Sequence, residues 1–345
     1  MKIIERKQDE QRRLDEFGDG LIVTPFDWST YNSSQTKEKI LFLKFLHELC
    51  NFTGGQAYMG RGRHAETACH MIFCMCLKVY LGTSSRRLIS DLELCKQKGY
   101  LDYAPHFNSV SNYFNSNSIK HHLHYLIGLS ALPLAQLEDQ FAIDSTGFSE
   151  RKYLERWSMI RQDYSRHQQY KKAHCIYGVY SNVIPQCIIT EGTEADSPKF
   201  RYLLESASKN FNVKEITADL GYSSRENLQY AHDLGITPYI PFKKNATGTS
   251  KGFSAWNKTY RYFKDHREEF MKHYHVRSNA ESGFFMIKQK FGGDLNYKNS
   301  ISQTNEILCK ILCHNICVLI QEMFLSKIDI DFYSCAKTYV AQEQD

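Results

Sequence analysis

Two short apolar runs that each end in an aspartate constrain the fold of this chain more than any other feature. The first run covers residues 140–144 and ends in Asp144, and the second covers residues 213–219 and ends in Asp219. Runs of this length and composition predict buried strands that deliver their last residue to the edge of a sheet. An acid at a strand end more often only caps a turn, so neither aspartate alone defines a site.

A third acid lies within a narrow polar stripe. If residues 274–288 form one helix, Tyr274, Arg277, Glu281 and Lys288 fall at about 0°, 300°, 340° and 320°, within an arc of about 60°. A stripe this polar needs a partner, since helices usually bury apolar faces. A metal ion beside a phosphate diester would provide one, with Glu281 as ligand and the two cations on phosphate oxygens. The alternative is a surface ion-pair cluster, because Arg and Glu four residues apart are common on helices.

The segments around these acids alternate between strand and helix. Pro185 predicts an edge position for the strand that contains it, and Ser223 or Ser224 is a suitable N-cap for a helix. An aspartate on the first and fourth strands and a glutamate on the last helix describe an RNase H-like α/β fold, with a mixed sheet flanked by helices. The predicted elements are strands at 140–144, 173–180, 183–190, 213–219 and 238–242, a turn at 181–182, and helices at 197–208, 225–234 and around Glu281.

Three carboxylates in this arrangement fit two-metal phosphoryl chemistry. Mg²⁺ takes oxygen ligands and keeps several waters. Two such ions roughly 4 Å apart activate a water or a 3′-hydroxyl and stabilise the leaving oxygen. We therefore predict that Asp144, Asp219 and Glu281 bind two Mg²⁺ ions, with Asp144 as the shared ligand and Mn²⁺ as an accepted substitute.

These motifs resemble those of the DDE transposases of bacterial and archaeal insertion sequences. The motif Tyr-x2-Arg-x3-Glu-x6-Lys, which marks one group of that family, is present with every spacing met, as Tyr274, Arg277, Glu281 and Lys288. The segments Asp144-Ser-Thr-Gly-Phe and Asp219-x-Gly-Tyr-Ser-Ser also look like the two aspartate motifs of the family. The resemblance covers roughly residues 138–325.

The resemblance implies an RNase H-like DDE catalytic domain at 138–325 that cleaves transposon ends with metal ions and transfers the strand into target DNA. It also implies double-stranded DNA as partner, a homodimer in the DNA complex, and phosphate contacts from Tyr274, Arg277 and Lys288. Some relatives stack a flipped base on a tryptophan near the second acid. This chain has none there, and Tyr222 is the candidate for that role.

Residues 1–137 are predicted to form an all-helical N-terminal domain. Apolar faces of helical period cover 39–49 and 65–81, and Ser84 or Ser85 is placed to cap the following helix. In the family such a region recognises the transposon ends, although arginines on a helix surface are as often only solvated. The candidate DNA contacts are Arg61, Arg63, Arg86 and Arg87. No role is predicted for the tail at 326–345.

A stronger basic segment covers residues 150–172. Its cations and interleaved aromatic side chains are typical of a groove that tracks phosphates and stacks bases. A solvated loop is the alternative interpretation, but the position beside Asp144 favours DNA binding. The predicted contacts are Arg151, Lys152, Arg156, Trp157 and Arg161.

Net charge, cysteine content and apolar spans limit the classes of protein to which the chain can belong. The net charge of +5 is only mildly basic and is weak evidence for nucleic acid by itself. Eleven cysteines occur without a Cys-x2-Cys pair, and Cys309, Cys313 and Cys317 form a helical stripe that we predict is buried rather than zinc-binding. We find no apolar span of 18 residues and no signal peptide pattern, and predict a cytoplasmic, nucleoid-associated protein without a membrane partner.

Two other functions stay open at this point. One is an RNase H-like nuclease that cuts without joining. The other is a decayed or co-opted copy that only binds DNA. The presence of all three acids argues against decay of the site, but not against loss of end recognition.

Overall fold

The computed structural model describes residues 27–54, 67–150 and 170–343. Its strands are β1 (Gln140–Glu150), β2 (Tyr170–Gly178), β3 (Gln186–Glu191), β4 (Glu215–Ala218), β5 (Thr237–Tyr239) and β6 (Asp294–Leu295). Its helices are α1 (Trp28–Asn51), α2 (Ala68–Leu81), α3 (Ser85–Gln97), α4 (Phe107–Phe114), α5 (Ser118–Ala131), α6 (Phe200–Ser208), α7 (Arg225–Asp233), α8 (Ser254–Asp265), α9 (Arg267–His275), α10 (Ser278–Phe291), α11 (Ser300–Leu325) and α12 (Phe332–Glu343).

The strands form one mixed sheet. Their order is β3-β2-β1-β4-β5, with β6 paired to the far end of β1. The pairs β1–β2 and β2–β3 are antiparallel, whereas β1–β4 and β4–β5 are parallel. This topology confirms the predicted RNase H-like α/β fold. The edge position of β3, which Pro185 immediately precedes, is confirmed as well.

Strand β1 is longer than the sequence predicted. The apolar run ends at Asp144, but the strand continues to Glu150 because antiparallel pairing with β2 extends to Ser149 opposite Tyr170. The parallel partner β4 stops earlier, at Ala218 opposite Ile143. Asp144 is therefore the first residue of β1 beyond its parallel neighbour, and the edge on which it lies is created by the end of β4.

Most predicted elements of the α/β region are confirmed, with shifted ends. Ser224 accepts a hydrogen bond from the backbone amide of Asn227 and caps α7. The segment after Phe242, for which no element was assigned above, contains helix α8. The signal for this helix is aromatic spacing, because the rings of Trp256 and Tyr260, four residues apart, both pack on Phe242 at 4.8 and 5.3 Å.

Where the structure describes the N-terminal region, helices α1–α5 confirm that it is helical. Helix α11 packs on α1, α2 and α5 and also contacts β2. The buried amide of Asn315 donates to the carbonyl oxygens of Ile127 and Ile184, which links α5 and the β2–β3 connection to α11. Because α11 contributes to a core shared with the N-terminal helices, the division of the chain at residues 137 and 325 stays a prediction.

Helix α11 corrects the expectation about apolar spans. Among the described residues it alone has the length and composition to cross a membrane, and 78% of its most apolar 18-residue window is buried inside the protein. Single polar residues such as Lys310 and His314 do not offset the apolar residues around them. The burial is that of a core helix, which passes the same test as a membrane span.

The predicted cysteine stripe is confirmed for Cys309 and Cys313, which are fully buried on α11, while Cys317 is half-buried. All eleven cysteines are free. The C-terminal tail contains α12, whose Phe332 packs edge-on against Phe45 of α1 at 5.8 Å. The tail is thus docked on the helical region.

Candidate active site

The sheet brings the two aspartates side by side. Asp144 lies on β1, and Asp219 directly follows β4, whose last residue Ala218 pairs with Ile143. Neighbouring parallel strands that end together deliver their next residues to the same edge, which is where α/β sheets place ligands. The predicted convergence of Asp144 and Asp219 is therefore present in the fold.

Glu281 lies in the first turn of α10, but the polar stripe is not on a single helix. Helix α9 ends at His275 and α10 begins at Ser278, so Tyr274 belongs to the preceding helix. The amide of Arg277 donates to the carbonyl oxygen of Tyr274 at 3.0 Å, and its guanidinium lies 5.6 Å from the Tyr274 ring. The one-helix prediction is wrong, because the chain turns at 276–277, yet the turn keeps these side chains together.

Helix α10 is held over the sheet by an unusually close contact. A Cβ added at Gly283 would lie 2.5 Å from Cε1 of Tyr177, a fully buried residue of β2. The next residue, Phe284, packs edge-on against the same ring at 5.0 Å. Gly283 is thus required for the helix that carries Glu281 to approach the strands beside Asp144. No local sequence pattern indicates this requirement.

Arg277 bridges two of the three carboxylates. Its guanidinium donates to Oε1 of Glu281 at 2.9 Å, and its other terminal nitrogen lies 3.7 Å from Oδ1 of Asp144. Burial lowers the pKa of Arg277, but the negative charges of its neighbours raise it more, so its net pKa is raised. The guanidinium therefore stays charged and supplies the positive charge between Asp144 and Glu281.

The environment of Asp144 changes the pKa of its carboxyl group. Its pKa is raised to about 6, chiefly by burial. The carboxylates of Glu281 and Asp219 raise it further, so all three acids lie within electrostatic reach of one another. The backbone amide of Ser145 and the guanidinium of Arg277 act in the opposite direction. The site holds more negative charge than Arg277 neutralises.

Lys288 lies along the same face of β1. Its ammonium donates to Oγ1 of Thr146 at 2.7 Å and lies 5.3 Å from the ring of Phe148. Residues 144, 146 and 148 alternate onto one face of the strand, so this cation lies on the same side of the sheet as Asp144. Burial lowers the pKa of Lys288.

A second polar cluster lies next to Asp144 and was not predicted. Ser145 donates to Oδ1 of Asp196 at 3.3 Å, and Lys172 forms an ion pair with the same carboxylate. His174, fully buried on β2, lies 3.2 Å from Asp196, and burial lowers its pKa to about 4. Asp196 thus ties the residue after Asp144 to strand β2.

The donor set suits a hard divalent ion. Asp144, Asp219 and Glu281 offer only carboxylate oxygens, the ligands that Mg²⁺ prefers, and their mutual repulsion favours an added cation. In the conformation described, no group of three His, Cys, Asp or Glu side chains among the described residues is close enough together to hold an ion. Glu281 is hydrogen-bonded to Arg277 instead, and with its side chain 59% exposed it is free to rotate. The residues fit an open metal site.

The other predicted DNA contacts have different outcomes. Tyr222 is 1% exposed and packs near Phe200, so the expectation that it stacks on a base is corrected, because its ring belongs to the core. Arg86 and Arg87 are exposed in the first turn of α3. Two groups lie outside the described residues: Arg151, Lys152, Arg156, Trp157 and Arg161 of the basic segment, and the candidates Arg61 and Arg63.

A mixed RNase H-like sheet with two aspartates at one edge and a glutamate on the helix above them defines the class of DDE-type enzymes. A family model described as "Transposase DDE domain" matches residues 135–316, more than half of the chain. The chain belongs to the transposase DDE domain family. No curated protein and no solved structure matches it significantly. The resemblance to DDE transposases is confirmed, while the narrower motif group and the insertion-sequence origin stay predictions.

Proposed function

We propose that this protein is a DNA transposase that cleaves transposon ends and joins the freed strand to target DNA. The observation that carries the proposal is the convergence of Asp144, Asp219 and Glu281 at one edge of the sheet, within the segment that matches the family. The charges of Glu281 and Asp219 help to raise the pKa of Asp144, so the three carboxylates are placed to share cations.

In this proposal Asp144, Asp219 and Glu281 hold two Mg²⁺ ions, for which Mn²⁺ substitutes. When bound, such ions supply Lewis acidity and lower the pKa of an attacking water or hydroxyl. Asp144 is the least exposed of the three acids, which supports its role as the shared ligand. Glu281, 59% exposed in the first turn of α10, is the ligand that closes the site by leaving Arg277.

Arg277, Lys288 and Tyr274 are the proposed phosphate contacts. When Glu281 turns toward a metal ion, the guanidinium of Arg277 loses a hydrogen-bond partner and becomes available to a phosphate oxygen. Lys288, held by Thr146, contributes a second cation on the same face of the strand. These groups position the DNA backbone relative to the acids and exclude a wrong register of the scissile bond.

The partners in this proposal are double-stranded transposon ends and target DNA, bound by a homodimer in the cytoplasm at the nucleoid. Arg86 and Arg87, exposed at the start of α3, are proposed to contact the ends. The segment at residues 150–172 is likewise proposed to contact DNA, through Arg151, Lys152, Arg156, Trp157 and Arg161.

The test is a Mg²⁺-dependent cleavage and joining assay on labelled DNA that flanks this gene. Wild type is compared with Glu281→Gln, since a neutral amide is a poor Mg²⁺ ligand. Glu226→Gln is the matched control, because Glu226 is also an exposed glutamate in the first turn of a helix. We expect joined products from wild type and Glu226→Gln only.

Other outcomes separate the alternatives. Cleavage without joining by the wild type would favour an RNase H-like nuclease. Binding without cleavage would favour a decayed or co-opted DNA-binding protein. Wild-type cleavage by Glu281→Gln would remove Glu281 from the catalytic set.

A further inference from the structure

One short segment carries as much net positive charge as the whole chain. Residues 243–272 contain eight Lys and Arg side chains against three Asp and Glu, a net charge of +5, which equals the net charge of all 345 residues. These residues lie between β5 and the helix of Glu281, outside every motif considered so far. The cations are Lys243, Lys244, Lys251, Lys258, Arg261, Lys264, Arg267 and Lys272.

Aromatic packing attaches this segment to the sheet. The rings of Phe263 on α8 and Phe270 on α9 pack at 5.0 Å, and Phe270 also packs on Tyr239 of β5 at 5.3 Å. Trp256 packs on Phe242, and its indole donates to the carbonyl oxygen of Thr247 at 2.7 Å. The aromatic side chains therefore fix α8, α9 and the loop before them on the edge of the sheet, with the cations on the outer surface. We call residues 243–272 the basic hairpin.

The cations of the basic hairpin stand apart from the acids that the structure describes. Among the described residues, none of the eight forms an ion pair, and all eight are exposed. Some exposed cations outside this segment do pair with an acid, as Lys214 does with Asp139. Unpaired like charges at this density repel one another, so the surface favours an extended anion as partner.

The basic hairpin is joined directly to the site of Asp144, Asp219 and Glu281, which we call the acid site. Helix α9 spans nine residues, about 13 Å at the usual rise per residue. Its last turn contains Tyr274, whose ring lies 5.6 Å from the guanidinium of Arg277. Arg277 in turn contacts Asp144. A polyanion that lies along α8 and α9 would therefore run toward the carboxylates.

We propose that the basic hairpin binds the phosphate backbone of duplex DNA irrespective of the DNA sequence. Through this surface the enzyme binds DNA outside the recognised ends. The inference rests on the proposed function and adds to it a surface that the motifs do not include. Six of the eight cations are lysines, which act as mobile point charges and lack the fixed fork by which arginine reads base edges. Backbone contacts position a protein on DNA without reading its sequence.

The experiment measures binding of the full chain to a random-sequence duplex by fluorescence anisotropy, in chelator so that no strand is cut. The triple variant Lys258→Gln, Arg261→Gln, Lys272→Gln removes three exposed cations of the hairpin. The matched control, Lys39→Gln, Lys209→Gln, Lys337→Gln, removes three exposed lysines from α1, the end of α6 and α12. Circular dichroism melting checks that both variants fold as wild type does.

We expect the hairpin variant to bind about 10-fold or more weakly at moderate salt, with the slope of log K against log salt reduced by about 2–3, since each lost phosphate contact removes about 0.9. The control should bind within about 2-fold of wild type. Equal binding by the two triple variants would overturn the proposal. So would wild-type protein that binds anionic vesicles but no random-sequence duplex.

These results are separable from the proposed function. If wild type binds random duplex through the hairpin but never cleaves flanking DNA, the inference stands and the transposase assignment fails. If wild type cleaves and joins while the hairpin variant binds random duplex normally, the assignment stands and the inference fails.

Discussion

The acid site and the basic hairpin handle charge in opposite ways. In the acid site, opposite charges face one another at partly buried positions, and the side chains of Asp144 and Arg277 are each 17% exposed. In the basic hairpin, eight exposed cations have no acidic partner among the described residues. This contrast matches the two proposals, in which the first region performs short-range chemistry on an ion and a phosphate. The second is organised for attraction of a long polyanion, which salt screens.

The largest expected effect comes from Asp144→Asn. We expect Mg²⁺-dependent cleavage to fall on the order of 10³-fold or more, since a ligand shared between metal ions is lost. In metal-free protein at neutral pH, the same variant should be more stable than wild type by about 2–3 kcal/mol, because a buried carboxylate with a raised pKa destabilises the fold when ionised. Product gels and urea unfolding measure the two effects.

Asp139→Asn is the control for that comparison. Asp139 precedes the same strand but is about half-exposed and pairs with Lys214 on the surface, so its removal should change stability by less than about 1 kcal/mol. If metal-free Asp144→Asn were no more stable than wild type, the site would not carry the destabilising excess of negative charge described above.

The raised pKa also predicts a pH dependence. Because the pKa of Asp144 is raised from 3.8 to about 6 in the fold, its contribution to stability is complete below pH 3.8 and is lost as pH rises through 6. The stability advantage of metal-free Asp144→Asn over wild type should therefore grow between these pH values and then level off. Urea unfolding across that pH range measures the difference in stability. If the advantage of Asp144→Asn shrank as pH rose, the pKa of Asp144 would be lowered in the fold, not raised.

The next effect concerns the helix that positions Glu281. Gly283→Ala should destabilise the protein by about 1–3 kcal/mol, since its Cβ meets the ring of Tyr177 and the core cannot absorb it without a shift. Cleavage should fall as α10 moves. Ser282→Ala, one residue earlier, is the control, and the double variant Gly283→Ala, Tyr177→Leu should recover part of the loss. Additive losses in the double variant would rule out this contact as the cause.

A pair of single substitutions compares the two regions directly. Arg277→Gln should reduce the salt dependence of DNA binding and also destabilise metal-free protein by about 1–3 kcal/mol, because Asp144 and Glu281 lose the cation between them. Lys272→Gln should reduce the salt slope by about 0.9 and leave stability within about 0.5 kcal/mol. This is the smallest effect predicted. If both variants changed stability equally, the distinction between paired and unpaired cations would not hold.

The sequence predicted the parts of the molecule that depend on local chemistry. The apolar run before Asp219, the serine cap of α7 and the edge position of β3 are all set by neighbouring residues, and the fold has each of them. The three acids could be selected because each follows or lies on a strongly patterned element. The family motif then connected them.

The missed features depend on partners distant in sequence. Strand β1 continues beyond Asp144 because β2 pairs with it, which no local pattern encodes. The turn at 276–277 places Tyr274 and Glu281 on two helices, although their spacing fits one. Tyr222 is buried by tertiary packing, and the need for Gly283 arises only where α10 meets Tyr177.

The metal site is tested most directly by Mn²⁺ binding in the absence of DNA, measured as the loss of the free-ion signal in electron paramagnetic resonance. We expect up to two ions per chain for wild type, and binding weakened at least about 10-fold in Glu281→Gln but unchanged in Glu226→Gln. Equal Mn²⁺ binding by Glu281→Gln and Glu226→Gln would contradict the assignment of these carboxylates as the metal site.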